Sequence, residues 1–295
     1  MTPAPLTGRP RCADLADAAG DAREGTAPPA EQWLLIERAG PWERSALAAF
    51  GTDVLTALSG WARETRGRIV LIRRPGRRTP DGDRPRRWFR VDARPGREEV
   101  RTGEYRSDAG LAAVPSLAGH RSDRPVALVC THGKHDACCA IRGRPLATAL
   151  AAADPEGTWE CSHIGGCRFA PALVLLPHGL TYGGVGPAEA LDIVRGYARG
   201  TLAPDTLRGR SSLSPVVQAA QHHARAATGM TGIDDLQPVA CVAEDEGAWR
   251  VTLTRPDCTV LLRERLVTVD RPLTCAARPS GRVRVFDPVE VVHPA

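Results

Sequence analysis

The chain of 295 residues has one lysine, Lys134, two methionines, and only 4% aromatic residues. No apolar run approaches the roughly 18 residues of a membrane-crossing helix, so a membrane role is not expected. Residues 1–30 mix Pro, Gly and charge without the apolar centre of a secretory leader, and a cytoplasmic location follows as the expectation. There is no G-x-G-x-x-G fingerprint and no P-loop, so the chain is not expected to take electrons from NAD(P)H by itself. The net charge of +5 is almost all arginine and is scattered, except for the stretch at 73–90, which reads as a solvated hairpin loop between strands. Without a basic face interleaved with stacking aromatics, nucleic-acid binding is not expected.

What the chain does have is cysteine, nine in all, alongside eight histidines. An odd number excludes a complete set of intrachain disulfides, and without an export signal clustered Cys and His favour metal or redox chemistry. Five of the cysteines (Cys130, Cys138, Cys139, Cys161 and Cys167) and three of the histidines (His132, His135 and His163) fall between Val126 and Arg168, in CTHGKHDACC and CSHIGGC. Cys12 reads as a bystander. Cys241, Cys258 and Cys275 are spread without ligand spacing and read as buried structural thiols.

Hydrophobic periodicity orders the remainder. Trp33–Ile36 is a strand, Glu43–Glu64 a helix, and Arg68–Arg73, Trp88–Asp92 and Glu98–Arg101 are strands, followed by a short helix near Ala109–Ala113. Pro125–Val129 is a buried strand. Pro145 then opens a helix to about Ala152, Trp159–Glu160 is a strand, Ala172–Leu176 and Thr181–Val185 form a hairpin, and Pro187 begins a helix. Both blocks read strand, helix, strand, strand, strand, helix. The fold class is therefore α/β (α+β), with thioredoxin-like sandwich units, two in tandem. The expected organisation is a flexible arm at 1–30, a degenerate thioredoxin-like unit at 31–115, a second unit carrying the Cys/His site at 116–200, and a C-terminal α+β region at 201–295. In that last region Ser211–Thr228 reads as a helix, followed by antiparallel strands at Pro238–Ala243, Trp249–Thr254, Thr259–Glu264 and Arg282–Phe286.

Thiols and imidazoles at the end of a buried strand, then in a loop, can surround a tetrahedral zinc ion or a 2Fe-2S cluster. The gap from Cys130 to Cys138 or Cys139 is wider than a zinc knuckle's and suits a two-iron centre better. Spacing alone leaves open whether Cys138 or Cys139, and His163 or Cys161, would be ligands. Gly165 and Gly166 permit positive φ and close approach of the loop.

CTHGKHDACCA followed by WECSHIGGCRFAPALVLLPHGLTYGGV resembles the sucrase/ferredoxin-like family, whose cluster domain is a thioredoxin-like ferredoxin. The marks are Cys130 with His132 two residues on, Asp136, Cys139, and His163-x-Gly165-Gly166 before Arg168-Phe-Ala. The resemblance implies a 2Fe-2S centre with Cys130, Cys139 and His163 on ligand positions and Cys167 where related members carry a second histidine. Cys138, Cys161, His132 and Arg168 then stand as alternative ligands or as neighbours that tune the site. It implies an electron carrier, bacterial by its arginine-rich composition, working with an unknown reductase and acceptor, and it leaves enzymatic activity undecided.

Two other classes compete: a thiol–disulfide oxidoreductase using Cys130, Cys138 or Cys139, and a structural zinc-binding or interaction protein. The first lacks a C-x-x-C pair. Hydrolysis of glycosides has no support, because no paired-carboxylate motif is present. Ser211, Ser212, His222 and His223 read as helix-cap and helix-surface residues.

Overall fold

The computed structural model describes residues 10–76 and 84–293. The chain enters through α1 (Cys12–Ala18), a short helix whose Cys12, Ala13 and Ala16 are buried. The segment expected as an arm is thus packed over its described part. Two turns of small residues carry too little periodicity to show this in sequence.

The first unit is built from β1 (Gln32–Glu37), α2 (Thr52–Glu64), β2 (Gly67–Arg73), β3 (Arg86–Asp92) and β4 (Glu99–Tyr105). Trp33 to Ile36 are all fully buried, because β1 lies between β2 and β3 and is covered on both faces. The helix expected from Glu43 begins only at Thr52, after Gly51 in extended conformation, with a single 3-10 turn at Ala46–Ala49 before it. The second unit repeats the order with β6 (Val126–Cys130), α3 (Ala137–Ala153), β7 (Thr158–Cys161), β8 (Ala172–Leu176), β9 (Leu180–Gly183) and α4 (Pro187–Ala198). In each unit the first two strands are parallel and the third and fourth add antiparallel on the other side. The repeat legible in element order is therefore present in the strand pairing, while the helix expected near Ala109–Ala113 is a pair of 3-10 turns, Asp108–Ala112 and Val114–Ser116, where the second unit has α4.

The units share one sheet of ten strands, β10-β9-β8-β6-β7-β2-β1-β3-β4-β5, where β5 is His120–Ser122 and β10 is Leu207–Arg210. They join through β2 and β7, antiparallel, with Ile72 opposite Cys161 and Arg73 opposite Glu160. Alternate strand residues divide between two layers. Trp33, Leu35, Ile72, Leu128, Cys130 and Trp159 enter a core common to both units. Leu34, Ile36 and Leu71 pack with Leu58 and Trp61 of α2, while Val129, Leu173 and Leu175 pack with residues of α3 and α4. The strands on either side of the arginine-rich stretch do not form a hairpin: β2 and β3 flank β1 on opposite sides and do not pair with each other. Residues 77–83 of that stretch lie outside the described residues.

Beyond β10, α5 (Pro215–Thr228) packs on an antiparallel sheet of β11 (Gln237–Ala243), β12 (Ala248–Thr254), β13 (Cys258–Val269) and β14 (Gly281–Val292). No helix among the described residues is long and apolar enough to cross a membrane.

Candidate metal centre

Parallel pairing brings the C-terminal ends of β6 and β7 side by side, with Cys130 in register with Cys161. The start of α3 meets the same place. That helix begins at Ala137, not at Pro145, so the expected N-terminus is corrected by two turns. Asp136 caps it, accepting the Cys138 N–H at 2.9 Å, which is the usual role of an aspartate before a helix. Pro145 sits inside the helix on its exposed face, as does Ile141, so the bond lost for want of its N–H falls on the solvent side. The shift matters because it places Cys138 and Cys139 in the first turn, where the positive end of the helix favours thiolates. Gly143 makes the approach possible: a Cβ there would lie 2.2 Å from the Cys130 carbonyl oxygen.

Cys130, Cys139 and a ring nitrogen of His163 lie within 4.8 Å of one another. Cys167 Sγ is 3.5 Å from His163 Nδ1, and Asp136, Cys139 and Cys167 also form a close set. Cys130, Cys139 and Cys167 are buried and His163 is half-buried. The loop that carries His163 and Cys167 turns through Gly165 and Gly166, at φ 96° and 74°. A Cβ at Gly166 would fall 2.3 Å from Arg208 Nη2, so glycine is required there for both conformation and space.

The protonation pattern follows from these contacts. The thiol of Cys139 hydrogen-bonds to Cys130 and to Cys167, and those bonds, followed by burial and by the charge of the two neighbours, push its own ionisation strongly upward. Hydrogen bonding from Cys139, together with His163, holds Cys130 well below the usual thiol range despite its burial. Cys139 and His163 likewise bring Cys167 down to about 7. For His163, burial works against the charge, but bonds to Cys130 and Cys167 outweigh it and raise the imidazole to about 9. Between about pH 7 and 9 these shifts favour thiolates at Cys130 and Cys167 facing a protonated His163, a donor set that exchanges protons for a cation.

Neighbours fix the set. His132 is buried; its Nδ1 accepts the His163 backbone N–H at 3.2 Å and its Nε2–H donates to the Glu43 carbonyl at 2.7 Å, which defines a neutral tautomer that burial maintains. It positions the His163 loop. His135 stacks on His163 with ring centroids 3.6 Å apart and forms a third close set with His163 and Cys167. Cys161 is fully buried beside Cys130, yet it belongs to none of the close donor sets among the described residues, and burial raises its thiol. Arg168 pairs with Asp21 at 3.1 Å and stacks on Phe169.

Two other arginines escaped the sequence reading. Arg208 is fully buried, donates to the carbonyls of Thr26 and Gly165, and feels the thiolates of Cys167 and Cys130, although burial lowers it to about 9. Arg68 donates to the His163 carbonyl at 3.2 Å and lies near Cys161 and Cys130. Neither forms an ion pair with a carboxylate among the described residues. Arg208 lies forty residues beyond the motif and Arg68 begins a strand in the other unit, so only sheet closure brings them here.

Cys138 turns away from this set to meet Cys12 at 3.7 Å and Cys275 at 3.4 Å. Of the three cysteines read as structural, Cys258 is buried in the C-terminal core, Cys241 is exposed, and Cys275 joins Cys12. Ser211 is not a helix cap: it accepts from Trp33 Nε1 at 3.2 Å and donates to the Ala30 carbonyl at 2.9 Å, and Ser214 precedes α5 instead. His223 holds the Phe286 carbonyl at 3.2 Å.

Fold and site together define a protein of two tandem α/β units on one sheet, with a thiol and imidazole donor set, able to hold a metal, at the strand ends of the second. The chain belongs to the sucrase/ferredoxin-like family, whose model matches residues 24–209. Comparison with curated proteins and with solved structures finds no match.

Proposed function

We propose that this protein transfers electrons through a 2Fe-2S cluster held by Cys130, Cys139, His163 and Cys167. The observation that carries the reading is a pair of arginines without carboxylate partners among the described residues, the buried Arg208 and the half-buried Arg68, set against those donors. A desolvated guanidinium needs a counter-charge. Three thiolates and one neutral imidazole around two ferric irons and two sulfides leave a net negative charge, which grows by one on reduction. Family membership and the donor chemistry agree with such a centre.

A bound cluster supplies one-electron chemistry, and histidine in place of thiolate makes it less negative and raises its potential. The chain's own residues do the rest. Cys130, Cys139 and Cys167 bind as thiolates, aided by the α3 N-terminus. His132 orients the His163 loop, His135 covers the His163 ring, and Arg68 and Arg208 offset the added electron. A separate reductase and acceptor complete the path.

A second reading, one zinc ion, draws on the compactness of Cys130, Cys139 and His163, which suits a single tetrahedral centre. Optical and EPR spectra of anaerobically purified protein, before and after dithionite, with iron and acid-labile sulfide analysis, separate the two. The expected result is a red-brown protein with about two irons and two sulfides per chain, lost in Cys139→Ala and kept in Cys138→Ala. A colourless protein with one zinc overturns it in favour of the second reading.

A further inference from the structure

A second donor set stands next to the first and shares with it only Asp136. Cys12 of α1, Asp136 and Cys138 at the start of α3, and Cys275 in the loop between β13 and β14 place their ligand atoms within 4.8 Å of one another. The sulfurs form a triangle: Cys12 to Cys138 3.7 Å, Cys12 to Cys275 3.6 Å, and Cys138 to Cys275 3.4 Å. Asp136 Oδ2 lies 3.6 Å from Cys12 Sγ. We propose that these four side chains form a tetrahedral zinc site that ties the N-terminal helix and the C-terminal loop to the start of α3.

The distances carry the assignment. Zinc–sulfur bonds of about 2.3 Å and a zinc–oxygen bond of about 2.1 Å require sulfur–sulfur edges of about 3.8 Å and sulfur–oxygen edges of about 3.6 Å. Each measured edge is within a few tenths of an ångström of these. Three mutually adjacent thiols cannot all pair as disulfides. The carboxylate is held in place by the N–H groups of Cys138 at 2.9 Å and Cys275 at 2.8 Å, and lone pairs remain for a cation. Cys12 and Cys138 are fully buried and Cys275 is partly exposed. A cleft lined by Pro10, Arg11, Ala137, Pro272, Cys275 and Ala277 gives an ion a way in.

The donors are separated by more than a hundred residues on either side of Asp136, so a bound ion would close two long loops, where a crosslink restricts the unfolded chain most. Cys12 and Cys275 both lie outside the span matched by the family model. The adjacent cysteines are thereby divided, Cys138 to this site and Cys139 to the other. The assignment does not depend on which metal the first site holds.

The test uses the full chain, kept anaerobic and reduced. Zinc binding is counted by native mass spectrometry, and cobalt(II) is titrated in as a spectroscopic stand-in that reports thiolate-to-metal charge transfer. The expected result is that wild type holds one more ion per chain than Cys12→Ser or Cys275→Ser, while both variants keep the content of the first site. Because Cys12 is buried, Cys275→Ser at the partly exposed corner distinguishes lost binding from lost folding. Equal zinc counts in wild type and Cys275→Ser overturn the proposal, as does a disulfide between two of the three cysteines in place of an ion. Loss of iron or zinc from Cys139→Ala, with the Cys275-dependent ion retained, separates failure of this site from failure of the first.

Discussion

Replacing Gly143 by alanine tests whether the site depends on how closely α3 approaches β6. In an isolated helix the change is favourable by about 1 kcal/mol, because glycine carries the larger backbone entropy. Here the new Cβ would sit 2.2 Å from the Cys130 carbonyl oxygen, with Thr131 Cγ2 at 3.4 Å. Carbon and oxygen pack at about 3.5 Å, so helix or strand must give by roughly 1 Å. Neither yields cheaply: β6 is paired on both sides, and α3 is capped by Asp136. Overpacking of this kind costs about 1–3 kcal/mol. The expected outcome is a lower urea midpoint with unchanged m-value, together with weaker metal retention as Cys139 is moved from Cys130 one turn away. Gly60→Ala in α2 is the control. A Cβ there meets nothing within 4 Å, so it should raise stability by about 0.5–1 kcal/mol. If Gly143→Ala matches or exceeds wild type in both stability and metal content, the close approach is not what sets the site.

Arg208→Met keeps length and removes charge. It should leave buried carbonyls of Gly165 and Thr26 unpaired at a cost of about 1–3 kcal/mol and shift the reduction potential of the centre downward. An unchanged potential in a folded variant would show that this cation does not compensate the site. In thermal melts of metal-free protein the shifts of His163 and Cys167 oppose one another, so their combined contribution should be nearly level between about pH 7 and 9. The raised His163 contributes fully below its ordinary 6.5 and loses that contribution as pH climbs through about 9. The lowered Cys167 contributes fully above its ordinary 9.0 and loses it as pH falls through about 7. His163→Gln should leave a stability that rises from about pH 7 to 9 and Cys167→Ser one that falls over the same range; a melt profile that neither variant alters would rule out the pair.

Local pattern carried the elements a long way. The strands around Trp33 and Leu128 were legible because fully apolar runs of that length need burial on both faces. The repeated order of strands and helices was legible because the topology beneath it is itself repeated. The clustering of Cys130, Cys139, His163 and Cys167 was visible because all four lie in one stretch of chain. The start of α3 was not, since Pro145 is a strong initiation signal and the cysteines before it read as loop; Asp136 was the true cap, followed at once by Ala, Cys and Cys. His135 gave no signal beyond its type, because stacking on His163 depends on how the loop after β7 folds back.

The sequence by itself therefore determined the class of fold, the family, and the stretch of chain in which thiols and imidazoles cluster, since each depends on spacing within short segments. Only the tertiary structure decided which neighbours those residues keep. Pairing of β2 with β7 puts Arg68 of one unit against the cysteines of the other, and β10 brings Arg208 to Gly166. Packing of α1 and of the loop before β14 around Asp136 gathers Cys12, Cys138 and Cys275. Those contacts join residues far apart along the chain, and no local periodicity records them.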